Sequence, residues 1–125
     1  MQTFPIQFQG ISTWVQRPSA PEPGVAAVVK RYFSNSVKAI LTSPDNITLD
    51  IYYQTTLYTV MLDRDSGCIF RGKFIARENA NSWDGIASGR LLQTNDGYLL
   101  FGSWIEDLST RIEDTWWVDL QEHQA

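Results

Sequence analysis

The chain has 125 residues, a length that suits one domain with a substantial core and is too short for two independent ones. Its content of 43% hydrophobic and 19% charged residues is typical of a globular protein and not of a disordered chain. The formal net charge of −4 provides no attraction to polyanions, so nucleic acid and anionic membranes are not expected partners.

The expected compartment is the cytoplasm. A single cysteine, Cys68, cannot form an internal disulfide, and the first ten residues lack the basic and apolar regions of a secretory signal. No apolar run approaches the roughly 18 residues of a membrane-spanning helix.

The first third of the chain divides into three segments. Residues 4–15 favour β structure but contain Pro5 and Gly10, which predicts an edge or bulged strand within an N-terminal region, 1–16. Residues 17–24 hold prolines at 18, 21 and 23 and predict a stiff connector. Residues 24–34 place apolar side chains at 25, 28, 29, 32 and 33, the spacing of one helical face, and predict a short helix.

The remainder, residues 37–121, alternates short apolar runs with turn residues, the pattern of an antiparallel meander. Thr55-Thr56 is poor turn chemistry, which leaves open one long bent strand over 47–63. The predicted fold is therefore mainly β, with one short helix and seven or eight strands in a curled sheet or small barrel. The strand candidates after the first are 37–42, 47–54, 57–63, 68–77, 85–93, 98–107 and 111–120.

Hairpin register predicts which side chains face inward. A three-residue loop at 108–110 opposes Trp104 to Asp114, Gly102 to Trp116 and Leu100 to Val118. A turn at 94–97 then places Ala87, Gly89 and Leu91 beside Trp104, Gly102 and Leu100. The resulting inward set is Phe70, Phe74, Ala87, Leu91, Tyr98, Leu100, Trp104, Ile112, Trp116, Val118 and Leu120.

Three glycines, Gly72, Gly89 and Gly102, lie in mid-strand on this face. Such glycines allow a sheet to coil sharply and bulky rings to approach the backbone, as barrel closure requires. The competing architecture is a flat sheet covered by the short helix, although one helix masks only part of seven strands.

Gly10-Ile-Ser-Thr-Trp14 resembles the Gly-x-Trp motif that opens calycin-type barrels, the lipocalin and avidin class, with two additional residues between Gly and Trp. The resemblance is at the level of architecture. It implies an up-and-down barrel with a cavity at its mouth for a small, mostly apolar ligand.

The leading functional hypothesis is a non-catalytic protein that binds a small apolar or aromatic ligand, without a cofactor. Its predicted site combines rings with two carboxylates that could anchor an amine or hydroxyl: Phe74, Tyr98, Trp104, Trp116, Glu106 and Asp114. The alternative interpretation of Glu106 and Asp114 is that they cap the hairpin end in water. An acid/base enzyme would need one of the two pKa values raised. A metal site is not expected, because no His or Cys is near either carboxylate in the sequence.

The second hypothesis is a protein-interaction module or homodimer. Phe101 and Trp117 are predicted to face outward opposite one another, either as an apolar patch or beneath the helix or the Pro-rich segment. Arg71 and Lys73 add positive charge to the outer face, either for an acidic partner or as part of a solvated surface. Nucleophilic catalysis is not expected, because the one histidine, His123, lies in the last three residues.

Overall fold

A computed structural model of the chain describes residues 3–16 and 30–123. These residues form eight antiparallel strands in a closed barrel, in which each strand pairs with the next and β1 pairs with β8. The strands are β1 Ile6–Gln16, β2 Lys30–Ser43, β3 Asn46–Tyr53, β4 Thr56–Ser66, β5 Ile69–Glu78, β6 Asn81–Gln93, β7 Tyr98–Ile105 and β8 Glu113–Glu122. The predicted meander is confirmed, and the flat-sheet alternative is wrong because the barrel closes. Within the described part of the chain, no helix is long and apolar enough to cross a membrane.

The break between β3 and β4 falls where the sequence was ambiguous. Gln54 has a positive φ of 54°, so one residue supplies the left-handed conformation that a tight hairpin turn needs. Residues 47–63 are therefore two paired strands, Ile51 opposite Tyr58 among them, and not one long bent strand.

The helix predicted over 24–34 is wrong where it can be compared, because residues 30–34 belong to β2. Gly10 pairs with Val37 and Ser12 pairs with Ser34, so a step of two residues along β1 matches a step of three residues along β2. This bulge breaks the two-residue alternation. Residues 24–29 of that prediction, and most of the connector predicted at 17–24, lie outside the described residues.

The predicted register of the last hairpin is confirmed: Trp104 pairs with Asp114, Gly102 with Trp116 and Leu100 with Val118. The register between β6 and β7 is confirmed as well. The inward placement of Ile112 is wrong, because β7 ends at Ile105 and β8 begins only at Glu113. Ile112 thus lies in the connecting loop, where no pleat directs it inward, and it is 49% exposed.

The core fills one end of the barrel and its middle. At this end, which we call the closed end, buried aliphatic and aromatic side chains meet from seven strands. They include Ile6, Phe8, Leu41, Ile47, Leu62, Phe70, Leu100 and Leu120. The opposite end holds the last residues of β1, β3, β5 and β7 and the first residues of the strands paired to them, and we call it the open end.

Trp116 occupies the middle of the barrel because the neighbouring strands carry glycines, which have no side chains, at the adjacent positions. It pairs with Gly102 and is only 1% exposed, and its Nε1 donates a hydrogen bond of 3.1 Å to the carbonyl oxygen of Ser88. Gly102 in turn pairs with Gly89. A Cβ at Gly102 would overlap both that Ser88 carbonyl oxygen and the Cα of Gly89. The close approach of β6 and β7 therefore requires glycine at position 102.

We expect Gly102→Ala to lower the free energy of unfolding by about 1–3 kcal/mol, the usual cost of forcing an extra carbon into a packed site. Urea denaturation measures the change. The control is Ser82→Ala, an exposed position on the neighbouring strand β6, which should change stability by about 0.5 kcal/mol or less. Equal stability of Gly102→Ala and wild type would contradict the close approach of the two strands.

Candidate functional site

A cavity of about 220 Å³ opens at the open end of the barrel. Its described lining comes from six strands or their ends, so it belongs to the barrel interior and not to one loop. The lining residues are Ser12, Trp14 and Gln16 of β1, Tyr32 of β2, Ile51 and Tyr53 of β3, Tyr58 of β4, Trp104 and Glu106 at the end of β7, and Asp114 and Trp116 of β8.

One wall of the cavity is formed by three aromatic rings from β1, β2 and β3. Trp14 stacks on Tyr32, with ring centroids 5.9 Å apart and planes inclined by 22°. Tyr53 meets Trp14 edge to face, at 4.8 Å and 80°. The rings are on neighbouring strands and share the inward face, so the sheet holds them together as cross-strand neighbours. We call them the aromatic wall.

The floor of the cavity is formed by Trp104 and Trp116, whose ring centroids lie 5.1 Å apart and whose ring planes are inclined by 64°. Phe74 supports Trp104 from the core side, because the two rings stack at 4.0 Å and Phe74 is fully buried. A Cβ at Gly85 would overlap the Phe74 ring. The glycine therefore makes room for Phe74, and Phe74 in turn fixes the indole that faces the cavity.

Glu106 lies at the side of the cavity within a network of neutral donors. Its Oε2 accepts a hydrogen bond of 2.8 Å from Trp83 Nε1, and its Oε1 accepts one of 3.3 Å from the hydroxyl of Tyr58. Burial raises the pKa of Glu106, and the hydrogen bonds from Trp83, Tyr58 and Trp104 oppose this effect only in part. The negative charge of Asp114 also raises it.

The pKa of the Tyr58 hydroxyl is raised as well. Burial is the main cause, and the charge of Glu106 and the hydrogen bond to it add to the effect. Tyr58 is therefore a neutral donor throughout the neutral pH range, and its hydrogen bond holds the Glu106 carboxyl group in place.

The structure brings four of the six predicted ligand-binding residues, Trp104, Trp116, Glu106 and Asp114, to this cavity. Phe74 lies directly behind Trp104 and does not itself line the cavity. Tyr98 lies at the closed end, where its ring meets Phe8 edge to face at 5.2 Å, and it is not part of the same site.

Sequence reasoning missed the aromatic wall and Tyr58. Three of these positions carried a usable signal, because Trp14, Tyr53 and Tyr58 continue the alternation of the buried residues on their strands. Tyr32 carried none, since the bulge in β2 places it out of phase with Val37 on the same strand.

The predicted outward residues lie on the outer wall of the barrel. Phe101 is 48% exposed and pairs with Trp117, and the two rings stack 6.2 Å apart at 25°. Arg71 and Lys73 are exposed on the outer face of β5, and Arg71 forms an ion pair of 3.2 Å with Asp65.

Comparisons with protein-family models, with curated proteins and with solved structures gave no significant match. Across residues 3–16 and 30–123, no three His, Cys, Asp or Glu side chains cluster in a way that could hold a metal ion. The chemistry of the cavity therefore has to be judged from its aromatic lining and its two carboxyl groups.

Glu106 should make the stability of the protein pH-dependent. Because its pKa is raised in the folded state, the folded protein binds more protons than the unfolded chain between the two pKa values. Its contribution is complete below the unfolded-state pKa and is lost as the pH rises through the folded-state pKa. Urea denaturation between about pH 4, near the ordinary glutamate value, and about pH 8 should show this fall. Glu106→Gln should flatten it.

The matched control is Glu113→Gln, which removes an exposed carboxylate at the start of β8. This variant should retain the wild-type pH dependence. A fall that is the same in wild type and Glu106→Gln would contradict the burial of Glu106 as its origin.

Proposed function

We propose that this protein is a non-catalytic binding protein that takes up a small aromatic or apolar organic molecule in the open-end cavity. The observation that carries the proposal is a cavity with six aromatic side chains among its eleven described lining residues, inside a barrel whose other end is packed. Apolar and aromatic linings with a few polar groups are typical of small-molecule sites.

The size of the cavity limits the ligand. A volume of about 220 Å³ lies below the roughly 300–1,000 Å³ of pockets for drug-sized molecules. A molecule with a single ring, or an equally compact branched molecule, fits this volume.

The barrel architecture supports the same proposal. An eight-stranded up-and-down barrel is compatible with the calycin-type resemblance of the Gly10 to Trp14 segment. In such barrels the mouth is the ordinary place for a small ligand. We therefore propose a calycin-like binding protein, and the position of the cavity at one barrel end is the feature that favours it.

Catalysis by Glu106 and Asp114 is a weaker proposal. The raised pKa of Glu106 would suit a general acid. However, both carboxyl oxygens of Glu106 already accept hydrogen bonds, one from Trp83 and one from Tyr58. These bonds hold the carboxyl group toward those two side chains. This arrangement favours binding and orientation over proton transfer to a substrate.

Ligand titration tests the proposal, with a panel of one-ring compounds followed by tryptophan fluorescence and by amide chemical shifts. Trp14→Ala should weaken binding at least tenfold, because it removes a ring of the aromatic wall. Trp117→Ala is the control, since Trp117 is a half-buried indole on the adjacent strand that faces outward. No shift with any compound, or equal losses in the two variants, would contradict the proposed site.

A second candidate function, a homodimer, is favoured by the outer wall. Five apolar side chains on β6, β7, β8, β1 and β2 form what we call the outer patch: Leu92, Phe101, Trp117, Ile11 and Phe33, the last 64% exposed. Phe101, Trp117, Thr13 and Phe33 lie in one cross-strand row. Exposed patches of this kind mark protein contacts more often than isolated apolar residues do.

Charges flank the outer patch in a way that suits a second copy of the chain. Arg90 pairs with Phe101 at one edge, and Asp119 pairs with Ile11 in the neighbouring row. In a two-fold dimer the same patch contacts itself, so Arg90 of each copy could approach Asp119 of the other.

Sedimentation equilibrium tests this second function. The wild type should associate, and Phe101→Glu should shift it to monomers by burying a charge in the contact. Lys73→Glu is the control, because it changes charge on the outer face of β5, away from the outer patch. A wild type that remains monomeric up to millimolar concentration would contradict the dimer.

A further inference from the structure

We propose that the ligand of the open-end cavity is an organic cation, a quaternary or protonated amine joined to a small apolar group. This inference rests on the proposed binding function and narrows its ligand class. The cationic end would lie against the aromatic faces and beside Glu106 and Asp114, and the apolar end would lie over the Trp104 and Trp116 floor.

The charge of the lining is one-sided. Among the eleven described lining residues, Glu106 and Asp114 are acidic, and none is Lys, Arg or His. An anionic ligand would be repelled by both carboxyl groups, and partial burial of the site strengthens that repulsion. A cationic ligand would be attracted by both carboxyl groups.

Among residues 3–16 and 30–123, no ion pair involves Glu106. The ion pairs of the described residues join Arg64 to Asp45 and Arg71 to Asp65, both on the surface near the closed end. Glu106 accepts hydrogen bonds from the neutral groups of Trp83, Tyr58 and Trp104. A partly buried carboxyl group with only neutral donors lacks the counter-charge that buried acids usually have. A bound ammonium group would provide it.

The aromatic lining suits the same ligand. The faces of Trp and Tyr rings attract cations through the ring quadrupole, and Trp is the strongest of the aromatic side chains in this respect. Here Trp14, Tyr32 and Tyr53 all line the cavity, and they meet one another at inclinations of 22° and 80°. Trp104, Trp116 and Tyr58 add three further rings. Groups of aromatic rings are the usual site for methylated ammonium groups.

Three compounds of equal size and different charge test the inference: phenyltrimethylammonium, its neutral isostere tert-butylbenzene, and benzenesulfonate. Their binding to the full chain can be measured by amide chemical shifts and calorimetry near pH 8, where Glu106 is most readily ionised. We expect the cation to bind at least tenfold more tightly than the neutral isostere, and the anion to bind most weakly. Equal affinity for the cation and the isostere, or tighter binding of the anion, would overturn the inference.

Variants test the two carboxyl groups separately. Glu106→Gln and Asp114→Asn should each lower the affinity for phenyltrimethylammonium at least fivefold. The affinity for tert-butylbenzene should stay within twofold of the wild-type value. Glu113→Gln, which removes an exposed charge beside the same loop, should leave both affinities within twofold. Equal losses for the cation in Glu106→Gln and Glu113→Gln would show only a general charge effect and would overturn the inference.

The outcome also separates this inference from the proposed function. If tert-butylbenzene or other neutral one-ring compounds bind and the cation does not, the cavity is a binding site and the inference about charge is wrong. If neither the cation nor any neutral compound binds, the proposed function fails, and the inference fails with it.

Discussion

The barrel depends on the contact between large rings and bare backbone in its second half. Gly102 and Gly89 pair with one another, and their lack of side chains lets β6 and β7 approach closely enough for Trp116 to reach the Ser88 carbonyl. Gly85 makes the same allowance for Phe74. Side chains at these positions would push the strands apart, and a sheet that cannot coil tightly cannot close. Closure pairs β1 with β8 and so sets Trp14 of the aromatic wall beside Trp116 of the floor.

The two ends of the barrel obey different physical rules. The closed end buries aliphatic and aromatic side chains that have no polar atoms to satisfy, as a stable core does. At the open end, two carboxyl groups and several Trp and Tyr rings, which carry polar N–H or O–H groups, line the cavity. Burying a carboxyl group is costly, and aliphatic side chains in the same place would stabilise the fold more. This contrast within one barrel is the reason why we propose a function for the open end.

Much of the second half of the fold could be predicted from sequence, because its hairpins have readable turns. Once the loops at 94–97 and 108–110 were assigned, strand pairing determined that Trp104, Trp116 and Asp114 share one face, and the structure has the same pairs. The first half could not be predicted in this way. The bulge in β2 adds one residue between Ser34 and Val37, so the inward-facing positions before it are odd-numbered steps away from those after it. No rule of composition or spacing locates such an extra residue.

The site was consequently predicted only on one side. The floor and the carboxyl groups come from the two strands whose register could be derived, whereas the aromatic wall comes from strands that pair across the bulge or across the β3–β4 turn. The misplacement of Tyr98 has a related origin. Tyr98 shares the inward face with Trp104, but the two residues are six positions apart on β7. At about 3.3 Å per residue, this spacing puts them roughly 20 Å apart, at different ends of the barrel. Facing inward therefore did not suffice to assign a residue to the cavity.

Glu106 connects this geometry to the stability of the barrel. Through Tyr58 and Trp83 its carboxyl group joins the ends of β4, β6 and β7, so the network holds the mouth of the cavity in shape. The cost of burying its charge in the free protein is offset only partly by these hydrogen bonds. The positively charged ligand proposed for this site would also stabilise the fold, since any ligand that binds only the folded state raises its stability.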